Sequence, residues 1–518
     1  MKKIFSNTFY QLFVIYSILI LVISIGLLSE FTYHFEIFAL ILAILGFVSV
    51  SKINEEKIGK RLKYSLIAFS IIFIILTRFV PYIGNQVPIG YDAGLYKYGI
   101  ENGLENKDDW ILRGGMEPGF LYLMSSLNIL FSSDFLLTHG FIAFIIILGT
   151  SIYFASREFF GELPAILSLL IYALSPVQFL VFSYMYYKNV IGLILLLTSI
   201  IFIQRYEKTK DRKNIFLAVI SAGLLGSIHR PTFYIFGISY FIYAFLSPYN
   251  KGYNLKELNV KIMAGIAIIL IAGLFYVGRF FQAITSILNP VASSFIEPGH
   301  APGTFIDFTQ YQFITLSYLP LSLLGLLIAI KMRKALFLQI WIITNAIIVY
   351  GQLFFFNRFI IHLDISAIIF AGLGFSFILT RKIGLIITIF LLASSGIITL
   401  NIAQNAEPLI SEEAIDLISS ISTTEKDSYA MSISSEYSPY VLAYSGRNTI
   451  APGMFDHDLW TRDEWEEFWT SPSEERTKEL MDSYRKPIYL FAGSKTYSNP
   501  CFSLYKELER DKIFKYTC

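Results

Sequence analysis

Apolar runs of about 20 residues recur along most of the chain, separated by short polar segments. A run of that length with few charges predicts a helix that crosses a lipid bilayer. The pattern predicts thirteen such helices, at roughly residues 9–28, 36–50, 64–82, 136–155, 163–176, 187–204, 214–229, 231–247, 262–278, 312–330, 336–350, 359–379 and 384–400. We therefore expect a polytopic α-helical membrane protein, with two spans in residues 1–63 and a transmembrane core in residues 64–400.

One polar segment, residues 84–117, is longer and more acidic than the others and is rich in glycine. The apolar stretch after it, residues 118–132, has only about 15 residues. That length is short for a span and predicts an interfacial or re-entrant helix. We expect the membrane helices to present this acidic loop at the membrane surface.

The last part of the chain, residues 401–518, has no long apolar run and is rich in Ser, Glu, Asp and Lys. Its pattern predicts helices at 411–421, 437–445, 463–484 and 499–509, and strands at 428–433, 487–492 and 512–517. Alternating strands and helices over about 120 residues predict a small α/β domain.

Composition and charge agree with a membrane protein and suggest its orientation. Hydrophobic residues make up 55% of the chain and charged residues 15%, and a net charge of +2 without a basic arm argues against nucleic acid. With a cytoplasmic N-terminus, the inner segments hold 21 Lys and Arg and the outer side of the membrane region holds 8. The positive-inside rule then predicts that the acidic loop and the C-terminal domain are extracytoplasmic.

Asp92, in the acidic loop, follows the outer end of a predicted span within Pro-Ile-Gly-Tyr-Asp-Ala-Gly. A partly shielded carboxylate there can act as a general base, or bind a metal or a substrate hydroxyl. Asp is also a common helix N-cap, which would be a purely structural role at this position. Glu117, at the end of the loop, is a candidate to orient a sugar hydroxyl or a metal, or else a solvated acid.

Several cationic or imidazole side chains share one predicted depth, in the outer leaflet. Charges at that depth are costly, so a shared anionic ligand such as a phosphate is one explanation, and contact with lipid headgroups is the other. The group consists of Arg78, Lys188, His229, Arg230, Arg279 and Arg358.

The C-terminal domain contributes two further observations. Its cysteines, Cys501 and Cys518, form either a disulfide or two separate thiols, and they have no metal-ligand spacing. The acidic, tryptophan-rich run at 455–469 suits carbohydrate contact, but it also fits an ordinary amphipathic helix and its approach loop.

The layout resembles GT-C fold glycosyltransferases, the group of protein O-mannosyltransferases and lipid A aminoarabinose transferases. The similarity covers residues 64–400 and is carried by Tyr-Asp-Ala-Gly-Leu-Tyr, which begins with Tyr91, by Met-Glu-Pro-Gly-Phe, by Gly-Ser-Ile-His-Arg-Pro and by Asn-Arg-Phe-Ile-Ile-His. Two spans precede the helix that leads into the loop, where the family usually has none. Lys188 and Asn189 stand where many members carry a second acid, which leaves metal binding in doubt. No Trp-Trp-Asp motif of oligosaccharyltransferases occurs.

The resemblance implies an enzyme that moves a sugar from a polyprenyl-phosphate carrier to a glycan, lipid or protein acceptor. Asp92 would be the general base. Arg230, with Arg279, Arg358, Arg78, Lys188 and His229, would bind the carrier phosphate, and Tyr91 and Glu117 would complete the substrate site. A divalent metal is compatible with this hypothesis but not required by it. The alternatives are a lipid-linked glycan transporter or flippase, a glycan polymerase or ligase, and a non-catalytic receptor or assembly protein.

Overall fold

The computed structural model describes residues 2–26, 32–49, 59–103, 116–249, 255–277, 305–353, 356–451, 457–470, 473–484 and 487–518. The chain divides into two compact units. The membrane unit comprises Met1–Val80, Glu117–Phe120 and Phe141–Ala406, and the C-terminal unit comprises Pro81–Met116, Leu121–Gly140 and Glu407–Cys518. The acidic loop, which sequence groups with the transmembrane core, thus clusters with the tail.

Helices account for nearly all of the membrane unit and part of the C-terminal unit. In chain order they are α1 (Lys2–Ser24), α2 (Thr32–Ser49), α3 (Lys60–Phe79), α4 (Ala93–Asn102), α5 (Pro118–Asn128), α6 (Ser133–Phe160), α7 (Glu162–Leu174), α8 (Pro176–Ser183), α9 (Tyr187–Thr209), α10 (Arg212–Ile228), α11 (Arg230–Tyr249), α12 (Leu255–Leu274), α13 (Phe308–Ile314), α14 (Leu319–Lys331), α15 (Leu336–Tyr350), α16 (Phe356–Ile378), α17 (Lys382–Gln404), α18 (Glu412–Ser419), α19 (Ser438–Tyr444), α20 (Arg462–Thr470) and α21 (Glu474–Asp482).

Each of the thirteen apolar segments overlaps a helix, which confirms the helical membrane fold. Among the described residues, seven helices are long and apolar enough to cross a membrane, and nine if each of two bent pairs counts as one span. Two further apolar helical segments, Phe35–Ser49 of α2 and Leu336–Tyr350 (α15), are shorter than these. The stretch predicted as an interfacial or re-entrant helix forms α5, which has only 11 residues.

Helix α16 lies at the centre of the membrane unit, with 94% of its 18-residue apolar stretch buried. Glycines let its neighbours approach closely. A Cβ at Gly325 of α14 would be 1.9 Å from the carbonyl oxygen of Phe370, and one at Gly372 would be 2.5 Å from that of Pro164 in α7. Such close backbone contact is how small residues drive packing between membrane helices.

Two bent helix pairs meet at one buried carboxylate of α16, Asp364. The α7–α8 pair bends by 53° at Ser175, and the α13–α14 pair bends by 81° just before Leu319. Asp364 accepts hydrogen bonds from Gln178 Nε2 at 2.6 Å and Ser175 Oγ at 3.4 Å, and one from the Tyr318 hydroxyl. Asp364 therefore receives hydrogen bonds from both bends inside the apolar core, where a buried carboxyl group needs such partners.

The C-terminal unit contains a five-stranded sheet in the order β2-β1-β3-β5-β4. Its strands are β1 (Tyr429–Ser432), β2 (Asn448–Ile450), β3 (Ile488–Gly493), β4 (Phe502–Leu508) and β5 (Asp511–Tyr516). Strand β1 pairs in parallel with β2 and β3, whereas β5 pairs antiparallel with β3 and β4. The predicted α/β fold of this region is confirmed.

The prediction of a helix at 499–509 is wrong, because Phe502–Leu508 is strand β4. Pairing with β5 along the edge of the sheet determines the conformation of this segment. Cys501, just before β4, and Cys518, after β5, form a disulfide with a Cα–Cα distance of 5.0 Å. Of the two alternatives left open by sequence, the disulfide is therefore the one observed.

Candidate active site

Glu117 is the centre of a buried ionic group in the membrane unit, with 2% of its surface exposed. Its Oε2 atom is 3.0 Å from the Lys188 ammonium at the start of α9. Its Oε1 atom accepts hydrogen bonds from Arg230, at 3.2 Å from the backbone N–H and 3.4 Å from the Nε–H. We call Glu117, Lys188 and Arg230 the Glu117 cluster.

The charges of the Glu117 cluster are mutually dependent. Burial raises the pKa of the Glu117 carboxyl, but the charges of Lys188 and Arg230 outweigh this effect and lower the pKa from 4.5 to about 2. The carboxylate is therefore ionised at neutral pH, and the two cations give the cluster an excess of positive charge. A desolvated cationic group of this kind is suited to bind phosphate oxygens.

His229 directly precedes Arg230 and is buried beside the cluster. Its Nδ1 atom lies 2.7 Å from the Thr232 hydroxyl and accepts a hydrogen bond from the Thr232 backbone N–H at 3.3 Å. The same hydroxyl lies 3.1 Å from Nε2 of His362 on α16. A row of three buried polar side chains therefore links the candidate site to the central helix.

The other predicted cations occupy different surroundings. Arg358, on the first turn of α16, stacks over the ring of Phe305 at 5.2 Å and interacts electrostatically with His229. Arg78 is fully buried in α3, where it donates to the Thr77 hydroxyl at 2.8 Å.

Arg78 also donates to the Ala173 carbonyl oxygen at 3.4 Å and lies 5.5 Å from the centre of the Phe179 ring. None of these groups is in the Glu117 cluster, so within the described residues Arg78 belongs to a separate environment. Arg279 lies outside the described residues.

Asp92 belongs to the C-terminal unit and comes just before helix α4. It is half-buried, and its carboxylate accepts a hydrogen bond from the Tyr96 hydroxyl at 3.4 Å. At the N-cap position its side chain forms no capping hydrogen bond, so the structural role considered for Asp92 is not realised. Burial, together with the charges of Asp92 and Glu436, raises the pKa of the neighbouring Tyr91 to about 12.

The backbone that carries Asp92 is held by helix α19 of the same unit. The Tyr440 hydroxyl, fully buried, donates toward the carbonyl oxygens of Gly90 at 2.8 Å and Pro88 at 3.2 Å. Gly94 lies so close to α19 that a Cβ there would be 2.2 Å from the Pro439 carbonyl oxygen. The C-terminal segment thus fixes the position of the loop that contains Asp92.

Helix α4 is anchored a second time through Lys97. Its ammonium lies 2.9 Å from each of Glu101, Ser133 and Asp134, and 4.9 Å from the centre of the Tyr444 ring. Tyr444 in turn donates to Asp134 at 2.8 Å. These contacts give Lys97 a structural role in holding α4.

In the tryptophan-rich run at 455–469, two tryptophan rings are packed inside the protein and do not form a surface for carbohydrate. Trp460 and Trp465 are buried in the core of the C-terminal unit, and the Trp465 indole N–H donates to Asp458 at 2.8 Å. The structure therefore favours the ordinary amphipathic-helix interpretation of this segment.

Sequence patterns did not identify Thr232, His362 or Tyr440. Each is an uncharged or weakly basic side chain within an apolar helix, and its importance depends on partners distant in the chain. Only the position of His362 in the quoted Asn-Arg-Phe-Ile-Ile-His motif offered a signal, since a histidine in a predicted span is uncommon.

Comparison with known proteins identifies the class to which this fold corresponds. The family described as dolichyl-phosphate-mannose-protein mannosyltransferase matches residues 117–276, which include Glu117, Lys188, His229 and Arg230. No curated protein sequence matches the chain. The chain thus resembles that family in sequence over a limited region, which contains the Glu117 cluster.

Solved structures extend the similarity to most of the chain. The oligosaccharyltransferase of Archaeoglobus fulgidus in its apo form has a TM-score of 0.63 at 12% identity, covering 84% of this chain and 70% of that chain. The same organism's AglB with an inhibitory peptide and a dolichol-phosphate has a TM-score of 0.62 at 13% identity and the same coverage. ArnT from Cupriavidus metallidurans has a TM-score of 0.58 at 13% identity, covering 88% of this chain and 98% of that chain.

The chain therefore has the GT-C fold of membrane glycosyltransferases, and the predicted resemblance to this group is confirmed. The comparisons also agree with the prediction of an enzyme of the glycosyltransferase class. They support a multi-pass membrane protein as well.

Proposed function

We propose that the protein is an inverting glycosyltransferase that moves a sugar from a polyprenyl-phosphate carrier to an acceptor hydroxyl on the outer face of the membrane. The observation that carries the proposal is the buried, net positive Glu117 cluster within the segment that matches the mannosyltransferase family. Such a cluster is suited to the phosphate that joins a sugar to a lipid.

Ligands of the similar structures support a lipid-phosphate donor. AglB has been solved with a dolichol-phosphate, and ArnT with undecaprenyl phosphate. Both ligands combine a phosphate with a long isoprenoid chain. In this protein, Arg230 and Lys188 would hold the phosphate, assisted by His229 and Arg358.

The chemistry follows from these assignments. The acceptor oxygen forms a bond to the anomeric carbon of the sugar while the bond from that carbon to the phosphate oxygen breaks. The electron pair leaves with the polyprenyl phosphate, whose growing charge the cations stabilise. Asp92 takes the proton of the acceptor hydroxyl, and Tyr91 would contribute to the substrate site beside it.

Outer-face activity is supported by the charge asymmetry and by the disulfide. The Cys501–Cys518 bond lies in the domain predicted to be extracytoplasmic. Disulfides persist in oxidising compartments and are rare in the cytosol, so the bond agrees with that orientation.

One A. fulgidus oligosaccharyltransferase structure is a complex with Zn and sulfate. In the part of this chain that the structure describes, no three His, Cys, Asp or Glu side chains are grouped to hold a metal ion. The described residues do not fit a metal site, and we assign no step to one.

A lipid-linked glycan transporter is the second candidate, because transporters often use broken helices, and two bent helix pairs meet at Asp364. A transporter would carry the lipid-linked sugar across a vesicle bilayer without an acceptor. The proposed enzyme instead requires an acceptor and releases polyprenyl phosphate.

The test is transfer of labelled sugar from a polyprenyl-phosphate donor to membrane acceptors, with wild type, Asp92→Asn and Glu407→Gln compared. Glu407 is an exposed acid of the same unit and serves as the matched control. We expect Asp92→Asn to reduce the rate at least about 100-fold, the usual effect of losing a general base, and the control to retain it. Wild-type activity in Asp92→Asn would overturn the assignment of the base.

A further inference from the structure

The buried row of His229, Thr232 and His362 determines where its protons lie. His229 stands between α10 and α11 with an extended backbone, at φ −153°, so that its ring turns back toward Thr232. The Thr232 backbone N–H can only donate, and it points at Nδ1 of His229 from 3.3 Å. That nitrogen must therefore carry a lone pair rather than a proton.

The rest of the row follows from this one donor. Since Nδ1 is an acceptor, the Thr232 hydroxyl at 2.7 Å donates its single hydrogen to it. The hydroxyl oxygen is then left to accept, so His362 donates from Nε2 across 3.1 Å. His362 Nδ1 bears no proton in this arrangement and is buried without a described partner.

The same reasoning makes His229 neutral. An imidazolium would have a proton on Nδ1, facing the fixed Thr232 N–H with no acceptor between the two donors. The single ring proton therefore lies on Nε2. Within the residues that the structure describes, the side-chain hydrogen bonds of His229 all involve Nδ1.

His229 thus offers a neutral N–H donor next to Arg230, and the charges of Glu117, Lys188 and Arg358 act on its ring. An anionic oxygen is the natural acceptor among these groups. We infer that Thr232 and His362 are positioning residues that hold His229 neutral, so that its Nε2–H donates to a phosphate oxygen of the lipid-linked donor. This inference rests on the proposed function.

The role proposed for neutral His229 differs from the role of a cationic side chain. A neutral donor adds a directed hydrogen bond without increasing the repulsion among the buried cations. It also keeps its proton as the leaving phosphate gains charge, so the hydrogen bond can strengthen during the reaction.

The first experiment reads the tautomer directly. Full-length protein with ¹⁵N-labelled histidine, in lipid nanodiscs, is examined by solid-state NMR, and His229→Gln identifies the His229 signals among the six histidines. We expect an unprotonated Nδ1 and a protonated Nε2 at neutral pH. A protonated Nδ1, alone or in an imidazolium, would overturn the inference.

The second measurement adds undecaprenyl phosphate to the same sample. We expect the Nε2 signal of His229 to shift as the phosphate oxygen accepts its hydrogen bond. An unchanged Nε2 signal under conditions where the lipid binds, or no binding of the lipid at all, would contradict the assignment of the ligand.

Kinetics of a matched pair separate positioning from simple structural support. Thr232→Ser retains the hydroxyl and should keep kcat within about twofold, whereas Thr232→Val removes it and should lower kcat about tenfold, with the protein still folded. Equal kcat in the two variants would refute the positioning role. If wild type transfers no sugar from any lipid-phosphate donor, the proposed function fails, while the tautomer is still decided by NMR.

Discussion

A carboxylate buried between two cations both offsets their repulsion and fixes where their side chains point. Glu117 does this for Lys188 and Arg230, with contacts of 3.0 and 3.4 Å. From the sequence, Glu117 was only one candidate among the acidic residues of the loop, and Asp92 was the main one. Its contacts depend on segments that lie about 70 and 110 residues further along the chain, which no local pattern contains.

Replacing Glu117 by Gln should be strongly destabilising, because it leaves two buried cations without their counter-charge. We expect a loss of about 3 kcal/mol in the free energy of unfolding. The control is Glu162→Gln, which removes a partly exposed partner of Lys63 and Arg157 and should cost under about 1 kcal/mol. Chemical denaturation in detergent compares the two, and equal losses would contradict the structural role of Glu117.

The same substitution has a pH signature. The pKa of Glu117 is lowered on folding from 4.5 to about 2, so its stabilising effect is complete above pH 4.5 and is lost as the pH falls toward 2. The stability difference between wild type and Glu117→Gln should therefore be constant at neutral pH and shrink in that acidic range. A difference that grows on acidification would be inconsistent with an ionised Glu117.

At the scale of elements, the sequence predicts where helices form but not how the loop and the tail pack together. Apolar runs are sufficient to predict where the helices form, because inside a membrane every backbone N–H and C=O group must be hydrogen-bonded within the helix. The packing of α4 on α19 depends instead on the absence of a side chain at Gly94 and on the single hydroxyl of Tyr440. Strand β4 was missed for a similar reason, because its partner β5 determines its conformation.

Gly94→Ala tests this packing. The added methyl would be 2.2 Å from the Pro439 carbonyl oxygen, so α4 must shift, and Asp92 with it. We expect transfer activity to fall about tenfold or more, as small displacements of reacting groups do. Gly237→Ala, where a methyl meets nothing within 4 Å, should retain activity. Full activity in Gly94→Ala would show that α4 tolerates displacement.

At the scale of the whole molecule, the sequence predicted a membrane protein with an α/β tail, and both are observed. Its thirteen apolar segments overlap helices, but a run of apolar residues does not reveal whether a helix is long enough to cross or bends midway. Nor does sequence determine which side of the membrane the tail occupies, beyond the bias in basic residues.

The disulfide provides a test of that orientation. In intact cells, a membrane-impermeant thiol reagent should label Cys501 and Cys518 only after treatment with an impermeant reductant. Removing the bond should also destabilise the C-terminal unit by about 3 kcal/mol, the value expected for a loop of this size. A Cys501→Ser, Cys518→Ser double variant is the control for labelling. Labelling that requires cell lysis would place the tail on the cytoplasmic side.

Asp364 has a mechanical consequence for the membrane unit. Because Ser175 and Gln178 from one bent pair and Tyr318 from the other all bind its carboxylate, the two bends share a single pivot. Straightening either bent pair would remove a hydrogen-bond donor from a carboxyl group buried in the apolar core. We therefore expect any change of angle at one bend to be coupled to a change at the other through Asp364 of α16.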